Sequence, residues 1–172
     1  DFTILLSRAF MYTNIISGTM KGMEAVLIRV EVDASFGLPV CDMVGNMSGE
    51  VKEARERVKI ALKNIGTKLP NLRITINLSP ANVRKEGTAF DLPIAIGVLV
   101  AAEQIKIDGL HETLQLGEVG LNGEIKGVKG VLPMVKFALE HNIKRVIVPM
   151  ENVKEGAFIR GIEVYGVSHL SQ

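Results

Sequence analysis

Lys52, Arg55, Lys59 and Lys63 recur three, four and four residues apart, so on a helix they form one cationic stripe. A row of fixed positive charge attracts phosphate backbones by releasing their condensed counterions. From Glu50 to Lys85 nine basic residues stand against three acidic ones, a local excess of six in a chain whose net charge is +1. Arg73, Arg84 and Lys85 complete the candidate nucleic-acid set. The same pattern is compatible with an ordinary solvated helix face, where Glu53 and Glu56 pair with basic neighbours one turn away. No aromatic residue interleaves with the stripe, which gives no platform for stacking a single strand.

Other chemistries find less support. Gly117, Gly120, Gly123, Gly127 and Gly130 are closely spaced, yet no Gly-Lys-Ser/Thr run follows to reach phosphates and magnesium, so they read as turn glycines. His111, His141 and His169 lie far apart in the chain and form no metal-ligand spacing. Asp91 opens an apolar stretch and reads as a helix cap, where a carboxylate meets unpaired N–H groups and the helix dipole. Cys41 is the one cysteine, which excludes an intrachain disulfide and fits a reducing, cytoplasmic setting. No apolar run reaches the ~18 residues of a membrane span.

The elements that must position these groups follow from periodicity. With 47% hydrophobic residues, no Trp and only 5% aromatics, the core of this 172-residue chain has to be aliphatic. Val26, Ile28, Val30 and Val32 alternate with polar or differently facing residues as a strand does, and Val40 to Val44 predicts a short second strand. Ser48 opens a helix whose apolar positions run from Val51 to Ile65, with Gly66 as its stop. Leu72, Ile74, Ile76 and Leu78 mark another half-buried strand. A second helix starts between Thr88 and Asp91, runs to about Gln104 and is apolar on nearly every side, as a buried central helix would be. Asn122-Gly123 predicts a hairpin between 114–119 and 124–128. A third helix from about Val131 to His141, a strand at 145–148 ended by Pro149, a short helix and a last strand at 162–165 complete an α/β (α+β) reading. Residues 11–172 read as one domain, and residues 1–10 as an upstream segment outside it.

Several strings resemble a known family. Gly18-Thr19-Met20-Lys21-Gly22, Gly37-Leu38-Pro39, Val51-Lys52-Glu53-Ala54-Arg55-Glu56-Arg57-Val58, Arg73-Ile74-Thr75-Ile76-Asn77-Leu78-Ser79-Pro80 and Lys85-Glu86-Gly87-Thr88-Ala89-Phe90-Asp91-Leu92-Pro93 are similar to the amino-terminal domain of ComM/YifB-type magnesium-chelatase-like AAA+ ATPases. Gly117-Glu118-Val119 and Ile143-Lys144-Arg145-Val146-Ile147-Val148-Pro149 in turn resemble the proteolytic domain of Lon, which has a ribosomal-protein-S5 domain-2-like fold. Lon-type peptidases use a Ser nucleophile and a Lys base. The resemblance places Ala89 at the first position and Leu132 at the second, and neither side chain can do that chemistry. Thr88 is adjacent to Ala89 but has no base assigned to it.

The resemblance therefore implies a domain with no catalytic residues and no cofactor of its own. ATP and magnesium are expected only in an ATPase module elsewhere in a longer protein that is an ATPase or helicase. The implied partners are that module, further copies of the chain in a homo-oligomeric ring, and DNA in competence, recombination or branch migration, with no membrane partner. The competing expectation is a structural module that sets packing in the ATPase ring.

Overall fold

Strict alternation buries Ile28, Val30, Val32 and Ala34 and exposes Arg29, Asp33 and Ser35, which fixes one long strand as the backbone of the molecule. The computed structural model describes residues 11–172, so the expectation for residues 1–10 lies outside the described residues. In chain order come β1 (Tyr12–Lys21), β2 (Glu24–Phe36), β3 (Val40–Val44), α1 (Gly49–Lys52), α2 (Ala54–Asn64), β4 (Leu72–Ser79) and α3 (Asp91–Ala101). They are followed by β5 (Thr113–Gln115), β6 (Glu118–Val119), β7 (Ile125–Lys126), α4 (Val131–Glu140), β8 (Arg145–Pro149), α5 (Val153–Gly156) and β9 (Glu163–Val167). Seven strands form one sheet in the order β3-β4-β2-β1-β5-β8-β9, and β6 with β7 makes a separate ribbon. The β1/β2 and β2/β4 pairs are antiparallel, while β3/β4, β1/β5, β5/β8 and β8/β9 are parallel. The α/β expectation holds, with a mostly parallel central sheet.

One sheet face packs against α2 and α3, through Val58, Leu62, Ile94 and Val98 on Val32, Ile74 and Ile76. The other carries α4, whose Met134, Val135 and Ala138 meet Ile16, Leu114 and Val146. Helix α3 has no polar face because it is covered twice: the sheet lies below it, and Ala61 of α2 with Val119 and Ile125 of the ribbon meet its Leu92 above. Gly97 permits the close approach, since a Cβ there would lie 2.7 Å from Val32 Cγ2.

The sequence misleads in four places. Strand β1 shows no alternation because it runs through the middle of the sheet and is buried on both faces from Ile15 to Thr19. The helix opened by Ser48, whose Oγ accepts the Val51 N–H at 3.3 Å, is interrupted at Glu53 into α1 and α2. Helix α3 ends at Ala101 and not near Gln104. The ribbon around Asn122-Gly123 has two-residue strands, because Thr113–Gln115 pairs into the main sheet instead.

Candidate functional site

The residues of the expected stripe lie on the first two helices, Lys52 at the end of α1 and the others on α2: Lys52, Lys59 and Lys63 are exposed, and Arg55 is half-buried. Arg55 is partly engaged, donating to the Cys41 carbonyl at 3.3 Å and pairing with Glu56 at 3.4 Å. No carboxylate pairs with Lys52, Lys59 or Lys63 among the described residues.

The other three basic candidates do not join that surface. Lys85 is fully buried and its ammonium donates to the Pro80 carbonyl, with burial pushing its pKa down. A group at 0% exposure cannot meet a phosphate, so Lys85 is corrected out of the set. Arg73 alternates with Leu72 and Ile74, which face α2, so its side chain leaves β4 on the opposite face and sits 3.8 Å from Asp42. Arg84 is exposed on the 80–87 loop and pairs with Glu86 at 3.2 Å. The structure thus brings Arg55, Lys59 and Lys63 together on α2, leaves Lys52 at the end of α1 and separates the other three.

A groove of about 590 Å³ runs between the end of β1, the loop before α3 and the 127–130 segment, and Thr88, Ala89, Glu118 and Lys129 are among the residues that line it. Ala89, which the Lon resemblance sets at the nucleophile position, therefore stands in a cleft. Leu132 follows in the first turn of α4, with a 39% exposed side chain and an N–H that donates to Glu155 Oε1 at 3.0 Å. Thr88 is not without a partner: its Oγ1 donates to Glu118 Oε2 at 2.7 Å. Sequence reasoning missed Glu118, whose only signal was its place in Gly117-Glu118-Val119. A carboxylate is a far weaker base than the alkoxide it would have to generate, and the amine of Lys129 makes no hydrogen bond to Thr88.

Beside this groove Asp91 does something other than cap. It is the first residue of α3, and its 1% exposed carboxylate accepts from Arg57 Nε at 2.7 Å, Arg57 Nη2 at 3.0 Å and the Val119 N–H at 3.1 Å. Three donors converge on it, a set that an acceptor-only ionised carboxylate satisfies. Burial pushes the Asp91 carboxyl up, while the Arg57 and Val119 bonds pull against it; the Asp91 hydrogen bond holds Arg57 above its ordinary range. The pair ties α2, α3 and β6 together and, through Arg57 Nη2 on the Glu50 carbonyl at 3.2 Å, reaches the groove wall.

Among the described residues no three His, Cys, Asp or Glu side chains converge as metal ligands would. His141 stacks on Phe137 with ring centroids 3.9 Å apart, and His169 Nε2 lies 2.9 Å from the Asn122 carbonyl against the ribbon. No described helix is long and apolar enough to cross a membrane.

Residues 30–152 match the family described as subunit ChlI of Mg-chelatase. The chain belongs to that family. The ChlI-type domain is also similar to named proteins over most of its length. It is 38% identical over 160 residues to the competence protein ComM of Haemophilus influenzae, covering 93% of this chain and 30% of that protein. It is 42% identical over 149 residues to YifB of Escherichia coli, covering 87% of this chain and 29% of YifB. Lon protease 2 of Bacillus subtilis is 33% identical over 163 residues, covering 88% of this chain and 29% of the protease. The chain spans about a third of the length of the curated relatives it matches. The family is AAA+ ATPase-like.

Proposed function

We infer that this domain is a non-catalytic, DNA-contacting module of a ComM/YifB-type ATPase. The observation that carries the reading is the stripe of Lys52, Arg55, Lys59 and Lys63, in which no lysine spends its charge on a carboxylate among the described residues. The competence role in the name of ComM supports it. Ala89 and Leu132 at the two peptidase positions support the absence of hydrolysis. The chain has no Gly-Lys-Ser/Thr run, so ATP and magnesium fall to another part of a longer protein, which the AAA+ likeness of the family would assemble into a homo-oligomeric ring in the cytoplasm.

Reversal of all four stripe residues to Glu should abolish salt-sensitive DNA affinity, while Arg73→Glu with Arg84→Glu should leave most of it. Equal losses in log affinity per charge unit reversed, eight against four, would mean that overall charge, and not the stripe, does the binding. A structural role in ring packing is the competing reading. It is favoured by the exposed Phe36 and Leu38 at 77% and 80%, and predicts that their replacement by Ser disrupts assembly without touching DNA affinity.

A further inference from the structure

Behind the stripe lies a feature that phosphate binding does not use. A cavity of about 280 Å³ enters between α2 and the edge strand β3, and reaches Val58 and Leu62 of α2, Leu72 and Ile76 of β4, and Ile94 and Val98 of α3. Arg55, Lys59 and Lys63 line its α2 side, and no Asp or Glu lines it anywhere. Long basic side chains lay their methylene stems along apolar walls and hold the charge at the water boundary, so these three place cations at the mouth of an aliphatic pocket. Thr67 and Asn71 add polar groups from the α2–β4 loop.

We propose that this cavity binds an amphiphilic anion, an unbranched aliphatic tail with a carboxylate or phosphate head, with the tail between α2 and β4 and the head at Lys59 and Lys63. The lining chooses among occupants. It contains no aromatic side chain, so an unpaired nucleobase has nothing to stack on, and a phosphodiester backbone has no apolar part to fill it. A single side chain of a docking protein is too small: the cavity is nearly twice the ~150 Å³ left by deleting one large core residue. Its size lies at the lower end of small-molecule sites, about 300 Å³, and its make-up, apolar walls with a few charges at one end, is theirs too. This goes beyond DNA contact while sharing Arg55, Lys59 and Lys63 with it, so the two ligands should compete.

The test is calorimetry of the protein with hexanoate, octanoate, decanoate and decanol. Saturable one-to-one binding is expected, tightening about fourfold per added methylene while the tail still lies inside the cavity, with decanol weaker than decanoate. Leu62→Phe and, at the loop mouth, Leu69→Trp fill the cavity from two sides. Either folded variant should lose decanoate binding and keep its DNA affinity, and Lys59→Gln with Lys63→Gln should weaken both ligands. The proposal is overturned if no carboxylate binds, if decanol binds as tightly as decanoate, or if a folded filled variant still binds decanoate. It is also overturned if sedimentation shows self-association that filling abolishes and no acid binds, because the occupant would then be a second copy. Absence of DNA affinity in the unsubstituted protein, with decanoate still bound, would sink the DNA reading alone.

Discussion

Replacing Arg57 by Met tests whether the Asp91 pair is the joint that holds the helical layer to the groove. Arg57 is 20% exposed and Asp91 1%, so the substitution leaves a carboxylate in the interior with the Val119 N–H as its remaining donor. Breaking a buried pair from one side costs about 3–5 kcal/mol, out of a total of about 5–15 kcal/mol for a domain. At 2–4 °C per kcal/mol for a chain of this size, the melting point should fall by on the order of 10 °C. Asp91→Asn should cost less, about 1–3 kcal/mol, because the amide keeps an acceptor for Val119 and Arg57 can turn to Glu53, 3.5 Å away. Arg57→Met with Asp91→Leu removes both charges and should be more stable than the sum of the single losses predicts. Urea unfolding at pH 7 reads the unsubstituted protein, Arg57→Met, Asp91→Asn, Asp91→Leu and the double variant, so that the cycle with Leu closes. A loss below about 1 kcal/mol for Arg57→Met, or additivity within about 0.5 kcal/mol, would refute the reasoning.

Gly45 sits at φ +114° with the Leu78 carbonyl oxygen 2.6 Å from where a Cβ would lie, so Gly45→Ala should cost at least about 2 kcal/mol in the same unfolding assay. Thr88 should not be labelled by a serine-reactive phosphonate, read by intact-protein mass, since its partner is a carboxylate; labelling that Glu118→Gln abolishes would restore a hydrolase. Glu112 is held below the ordinary glutamate range, first by its hydrogen bond from Lys144. A carboxyl depressed in the folded state adds stability above its unfolded pKa and loses it as pH falls through the folded one. Glu112→Gln should therefore lower the melting point slightly at neutral pH, flatten the acid limb of the profile and converge with the unsubstituted protein at low pH.

How much was legible depended on whether a residue's role was local. The alternation in Val26–Val32 and Leu72–Leu78 describes half-buried strands, which formed where expected, and the helical spacing from Val51 to Ile65 marked a helical stretch without showing its break at Glu53. Strand β1 was illegible because Ile15, Ile16 and Ser17 are buried in the middle of the sheet, where period two disappears. The stripe could be read because Arg55, Lys59 and Lys63 share α2 and Lys52 ends the short helix just before it. Lys85 and Arg73 could not be assigned, since linear charge density says nothing about which side of a strand a residue leaves or whether a lysine folds inward. Asp91 misled for a related reason: a carboxylate at a helix start suits a cap, and its partner Arg57 is 34 residues away. The pairing of Thr88 with Glu118 was equally hidden by sequence distance, while Ala89 was placed in the groove by family likeness alone.

The most direct test of the account is a salt titration of fluorescently labelled duplex DNA against the protein by anisotropy. With three to four phosphate contacts from the stripe, log affinity should fall against log salt with a slope of about −2.7 to −3.6, a loss of roughly 40- to 150-fold between 50 and 200 mM. A flat line across that range, or no affinity at 50 mM, would contradict it.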